Sequence, residues 1–149
     1  MHILPTQKIR LFSVQHNGQF LFVSNDFENG DRVVEAHPFP NEERNFFRAL
    51  EDPDDRVRLF HPSTGTFVFV SNDLADTTSS DTDRIVEAHA NPDEERNRFE
   101  VQRQNDGSFK FFNTHTQRFL FLSNDQRGND FVIEAHGNPN ELRNLFRIE

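Results

Sequence analysis

Apolar and polar residues alternate with a period of two in short blocks along this chain, and the blocks recur. In the stretches 32–37, 84–89 and 131–136, Val34 with Ala36, Val86 with Ala88 and Ile133 with Ala135 fall on one face. Glu35 with His37, Glu87 with His89 and Glu134 with His136 fall on the other. This is the pattern of a half-buried strand, and it predicts an apolar face on the core and a Glu/His face turned outward. At the rise of a strand, the Glu and His of each block lie about 6.5–7 Å apart. The blocks 20–24, 67–71 and 119–123 differ. Phe20/Phe22, Phe67/Phe69 and Phe119/Phe121 interleave with Leu21/Val23, Val68/Val70 and Leu120/Leu122, so these strands should be covered on both faces. Strands are also expected at 9–12, 57–60 and 109–112, and at 45–50, 97–102 and 144–148, with Asn17-Gly18 and Thr64-Gly65 as turn dipeptides. In 91–94 and 138–141, Asn, Pro and a Glu three residues after the Asn predict a capped helical turn.

The blocks are parts of a repeat. Ser-Asn-Asp occurs at Ser24, Ser71 and Ser123; Glu-Ala-His follows at Glu35, Glu87 and Glu134; Arg-Asn-x-Phe follows at Arg44, Arg96 and Arg143. From Asn25 to Asn72 is 47 residues, and from Asn72 to Asn124 is 52, the surplus falling in loop 76–83. The copies span about 8–54, 55–106 and 107–149 of a single domain, 1–149. One four-stranded copy is too small to bury its own apolar face. A barrel of six strands capped by three hairpins solves the problem for twelve strands, so the fold class is all-β, a β-trefoil of three pseudo-symmetric four-stranded repeats. Three repeats without distinct polar caps do not suit an open solenoid, and three blades are fewer than propellers use.

Composition narrows the function. Sixteen basic and twenty-five acidic residues give a net charge of −9, which argues against nucleic acid and anionic membrane as partners. There is no cysteine, which excludes disulfides, thiolate metal sites and thiol catalysis. No apolar run is long enough to insert in a membrane, and the opening lacks the apolar region of a signal peptide, so a cytoplasmic location is expected. Eighteen Phe stand beside no Tyr and no Trp.

Four repeated constellations carry chemistry. Asn25/Asp26, Asn72/Asp73 and Asn124/Asp125 offer amide and carboxylate groups suited to bidentate hydrogen bonds with sugar hydroxyls; the same residues suit a tight turn. His37, His89 and His136 stand at strand ends where a ring nitrogen could donate to a ligand. Glu42, Glu94 and Glu141 are ligand candidates or capping residues, and Arg44, Arg96 and Arg143 pair with a carboxylate of the protein or of a ligand. The acidic loop 26–31 offers oxygens for calcium, but its length differs between copies, and no third ligand stands near His37 and Glu35 for zinc; no metal and no cofactor are expected. No nucleophile elbow surrounds any Ser, and three equivalent sites do not suit an enzyme.

The layout resembles the β-trefoil lectin superfamily. Asn45-Phe46-Phe47, Asn97-Arg98-Phe99 and Asn144-Leu145-Phe146 occupy the place of the Gln-x-Trp of ricin-B-type lectins. The stretch from Gly18 to Phe47 is also similar to the mussel galactose-binding trefoil lectins, with 22–26 where those carry His-Pro-x-Gly-Gly and His37 at the first His of their His-x-Asp-x-His. The resemblance implies a non-catalytic carbohydrate-binding protein with up to three equivalent sites and glycans or glycoconjugates as partners. A homodimer is compatible with it. Other trefoils keep two alternatives open: a protein-interaction or actin-binding module in the manner of hisactophilin and fascin, and a protease inhibitor acting through loop 73–83.

Overall fold

A computed structural model describes residues 4, 5, 7–16, 18–28, 30–75 and 83–149. Most of loop 76–83 lies outside them, as do Asn17 of the Asn17-Gly18 turn and Asn29 of the acidic loop. The described residues form twelve strands: β1 (Ile9–Ser13), β2 (Phe20–Glu28), β3 (Asp31–His37), β4 (Phe46–Glu51), β5 (Val57–His61), β6 (Thr66–Leu74), β7 (Arg84–His89), β8 (Arg98–Arg103), β9 (Phe109–Asn113), β10 (Arg118–Arg127), β11 (Asp130–His136) and β12 (Phe146–Ile148). Short 3-10 turns at Glu43–Asn45, Glu95–Asn97 and Leu142–Asn144 precede β4, β8 and β12.

The strands pair into a ring and a cap. β1 pairs with β4, β4 with β5, β5 with β8, β8 with β9, β9 with β12, and β12 with β1, which closes a six-stranded barrel. The hairpins β2–β3, β6–β7 and β10–β11 form the cap. They are tied to one another by short pairings of β3 with β7, β7 with β11, and β11 with β3. Every barrel strand has two neighbours, so the barrel leaves no open edge. The core holds Leu21, Val34 and Ala36 with their counterparts in the other copies, packed on Phe47, Phe99 and Phe146.

The covering of the second strand of each copy on both sides is observed: Leu21 points into the core, and Phe22 is equally buried on the opposite face. The third strand departs from its pattern. Glu35, Glu87 and Glu134 are only 2%, 1% and 4% exposed, His37 and His136 are buried, and His89 is half-buried. Alternation separates two faces but does not say what lies over each, and here the 3-10 turn before the fourth strand folds across the face taken to be open. The capped turn also differs. Asn91 Oδ1 accepts the N–H of Asp93, and Asn138 Oδ1 that of Asn140, closing tight turns over the prolines. The helical turns begin only after Glu94 and Glu141, whose side chains make no capping bond.

Candidate functional site

Ser-Asn-Asp lies not in a loop but inside the long second strand of each copy, at a bulge. The register of β2 against β3 slips between Val23 and Phe27, that of β6 against β7 between Val70 and Leu74, and that of β10 against β11 between Leu122 and Gln126. A bulge leaves backbone groups out of the ladder. The Ser hydroxyls take one up: Ser24, Ser71 and Ser123 Oγ accept the N–H of Asp26, Asp73 and Asp125 at 3.0–3.1 Å. The serines are buried by this, and the Asn and Asp of each copy are left exposed. In the first copy Arg32 donates to Asn25 Oδ1 at 3.3 Å, and in the second Arg84 donates to Asn72 Oδ1 at 3.4 Å. Those bonds hold the amide oxygen towards the arginine. The third copy has Phe131 where the others have Arg. Phe27, Leu74 and Gln126 follow the pairs, and Phe27 is 56% exposed with the Arg32 guanidinium 4.8 Å from its ring centre.

His37, His89 and His136 stand at the other end of the hairpins. The register partner of His37 is Phe20, six residues from Asp26 along β2, or roughly 20 Å at the rise of a strand. Each histidine belongs to a stacked pillar. Its ring lies on Phe22, Phe69 or Phe121 with centres 3.9, 3.8 and 3.8 Å apart. Arg44, Arg96 and Arg143 stand 4.8, 5.0 and 4.9 Å from the same Phe rings. Glu42, Glu94 and Glu141 pair with these arginines at 3.0, 2.8 and 2.8 Å. Histidine Nε2 lies 2.6, 2.7 and 2.6 Å from Oδ1 of Asn45, Asn97 and Asn144. The Nδ2 of each Asn donates to a backbone carbonyl, of Phe39, Asn91 or Asn138. The amide oxygen therefore faces the ring, and Nε2 carries the proton.

The twelve residues expected to bind ligand thus divide. Asn25, Asp26, Asn72, Asp73, Asn124 and Asp125 are exposed on bulges. His37, His89, His136, Glu42, Glu94 and Glu141 tie the 3-10 turn to the hairpin. Sequence reasoning missed Asn45, Asn97 and Asn144, which are fully buried and clasp the histidines. The available signal was the constant eight-residue step from each His to the Asn of Arg-Asn-x-Phe.

The buried glutamates belong to the cap as well. Desolvation, helped by Asp130 and Asp26, raises Glu35 to about 7. Desolvation, with Asp31, Asp73 and Glu28 nearby, raises Glu87 to about 8. Desolvation and a hydrogen bond with Asp125 raise Glu134 to about 9. Among the described residues no group of three His, Asp or Glu side chains is placed to hold a metal ion, and no helix is long and apolar enough to cross a membrane.

No family model matches the chain, and no curated protein matches it by sequence. Among solved structures it is similar to a Caenorhabditis elegans protein of unknown function, with a TM-score of 0.84, 15% identity and 97% of this chain and 93% of that one covered. It is similar to the designed three-fold symmetric protein ThreeFoil (TM-score 0.78, 16% identity, 95% and 96% covered). It is also similar to the BEL β-trefoil (TM-score 0.70, 14% identity, 95% and 91% covered). The likeness is one of fold: with the closed six-stranded ring and its three-hairpin cap, the chain folds as a β-trefoil.

Proposed function

We propose that this protein is a non-catalytic carbohydrate-binding module whose ligand contacts are the Asn–Asp pairs of the three bulges. The observation that carries this reading is the exposure of Asn25/Asp26, Asn72/Asp73 and Asn124/Asp125 on a backbone held by a buried Ser hydroxyl. Each bulge exposes a carboxylate that accepts and an amide NH₂ that donates, the two kinds of group that complement sugar hydroxyls. In the first copy the exposed face of Phe27 adds an apolar surface for sugar C–H groups beside the pair. Sites this shallow bind weakly one by one and gain from multivalent glycans. The histidines and Glu42, Glu94 and Glu141 act indirectly, by fixing the hairpins that carry the pairs.

The test is a glycan array probed with protein labelled at its amino terminus, since a chain without Trp or Tyr has little fluorescence of its own. The expected result is one glycan class, competed by free sugar, with binding lost in the folded triple variant Asp26→Ala/Asp73→Ala/Asp125→Ala. A blank array with folded protein, or full binding by the triple variant, overturns the reading.

A further inference from the structure

The three cap hairpins meet around a pocket of about 420 Å³ lined by residues of all three copies. Val33, Ile85 and Val132 supply one equivalent aliphatic side chain each, and Glu134, Asp125, Glu28 and Arg127 supply the charge. Val33 pairs across the seam with Glu87, Ile85 with Glu134, and Val132 with Glu35. Directly paired residues of antiparallel strands share a face, so a buried glutamate flanks each aliphatic residue. Oε2 of Glu35 and of Glu87, both more than nine-tenths buried, makes no hydrogen bond. The Arg127 guanidinium is engaged by Glu28 at 2.9 Å and lies 3.8 Å from Glu35. Asp125 and Glu134 hydrogen-bond each other, and the cation that lines the pocket with them, Arg127, is paired with Glu28.

We propose that this axial pocket binds a small aliphatic ammonium ion, with its alkyl chain on Val33, Ile85 and Val132 and its charged head on Asp125 and Glu134. The aliphatic surfaces do not suit a bare metal ion, which prefers a full shell of oxygens. An alkylammonium matches both surfaces at once: its methylenes leave water, and its three N–H groups meet carboxylate oxygens. Glu134, raised to about 9 by burial, keeps its proton in the hydrogen bond with Asp125, and an arriving ammonium displaces it to solvent. Affinity therefore increases with pH. The groups that face Glu134 and set this dependence are Asp125, Asp83 and the Ser123 hydroxyl.

The experiment follows methyl resonances of Val33, Ile85 and Val132 while the whole chain is titrated with n-hexylammonium, with 1-hexanol as the uncharged control. Saturable shifts with the ammonium and not the alcohol are expected, with binding several-fold tighter at pH 9 than at pH 6. At pH 9, Glu134→Gln, nearly isosteric, is expected to weaken binding several-fold and so to remove the pH dependence, since at pH 6 Glu134 is itself neutral. Unmoved methyls, equal response to the alcohol, or unchanged affinity in folded Glu134→Gln at pH 9 overturn the proposal. If that variant does not fold, the alcohol control and the pH series on the unmodified chain decide.

Discussion

Asn45 and Asp26 are both polar residues of the repeat, yet the structure gives them opposite weights. Asn45 is fully buried and bridges His37 to the Phe39 carbonyl. Asn45→Ala leaves the buried His37 ring nitrogen without its partner and the Phe39 carbonyl without its donor, and a loss of about 1–3 kcal/mol in urea unfolding is expected. Asp26→Ala removes an exposed side chain and should change stability by less than about 0.5 kcal/mol. Within the glycan reading, Phe27→Ala is expected to weaken binding more than Leu74→Ala, because an aromatic face is lost only in the first copy; equal effects would remove Phe27 from the site. Titration belongs to this scale as well. Glu35, Glu87 and Glu134 hold protons in the folded chain up to about pH 7, 8 and 9, against about 4.5 when unfolded. Between these limits the folded state binds more protons, so stability is full below pH 4.5 and falls as pH rises towards 9. Glu94 and Glu95 have the opposite sign. Hydrogen bonds from Arg96 and Arg56 lower them, and their contribution is lost as pH falls below 4.5. Thermal melts should therefore peak near pH 5, and Glu134→Gln should flatten the alkaline side.

At the scale of elements, the bulge shows where the sequence was legible and where it was not. The starts of the second strands and the limits of the third follow, to within a residue, from Phe-x-Phe spacing and Val-x-Ala alternation, but the second strands run on to 28, 74 and 127, past the expected ends at 24, 71 and 123. Ser-Asn-Asp reads as a turn because a bulge and a turn ask the same of a side chain: a short oxygen that bonds the backbone two residues on. The distinction is made across the hairpin, where Phe27 resumes pairing with Arg32. Local reading fails at Asn91-Pro92-Asp93-Glu94 for a similar reason, since the Asn oxygen stops at Asp93 and the helical turn begins after Glu94. Ser24→Ala leaves the Asp26 N–H without its acceptor, at a cost of about 1 kcal/mol. It should also loosen the Asn25–Asp26 pair, so that binding by the first copy weakens together with slowed-exchange protection of the Asp26 amide. Protection that survives the substitution would show that the hydroxyl does not hold the bulge. The hairpin ends are sharper: Gly128, at φ +62°, occupies the left-handed region in the two-residue link between Arg127 and Asp130.

For the whole molecule, the repeat was the most legible feature, because three motifs in constant order leave few ways to bury twelve short strands. What the alternation could not reveal is that the Glu/His face is covered. The cover comes from residues 39–45 and their counterparts, and from the neighbouring hairpin across each seam, relations that no single strand contains. The ring closes only when β12 meets β1. A chain ending at residue 106 loses two of the six barrel strands and one cap hairpin, and far-UV circular dichroism should show it unfolded. A cooperative melt from that fragment would mean that the copies are stable independently.

The claim that the exposed Asn–Asp pairs are the contacts, with the histidine pillars as their support, is tested most directly by mapping a bound sugar. The measurement is side-chain and backbone amide NMR of the chain, titrated with the free sugar that competes on the array. The account predicts saturable shifts of the Asn25 and Asn72 side-chain NH₂ groups and of the Asp26 and Asp73 amides, while the NH₂ groups of Asn45, Asn97 and Asn144 stay in place. Shifts centred on those buried asparagines and their histidines, with the bulges unmoved, would contradict it.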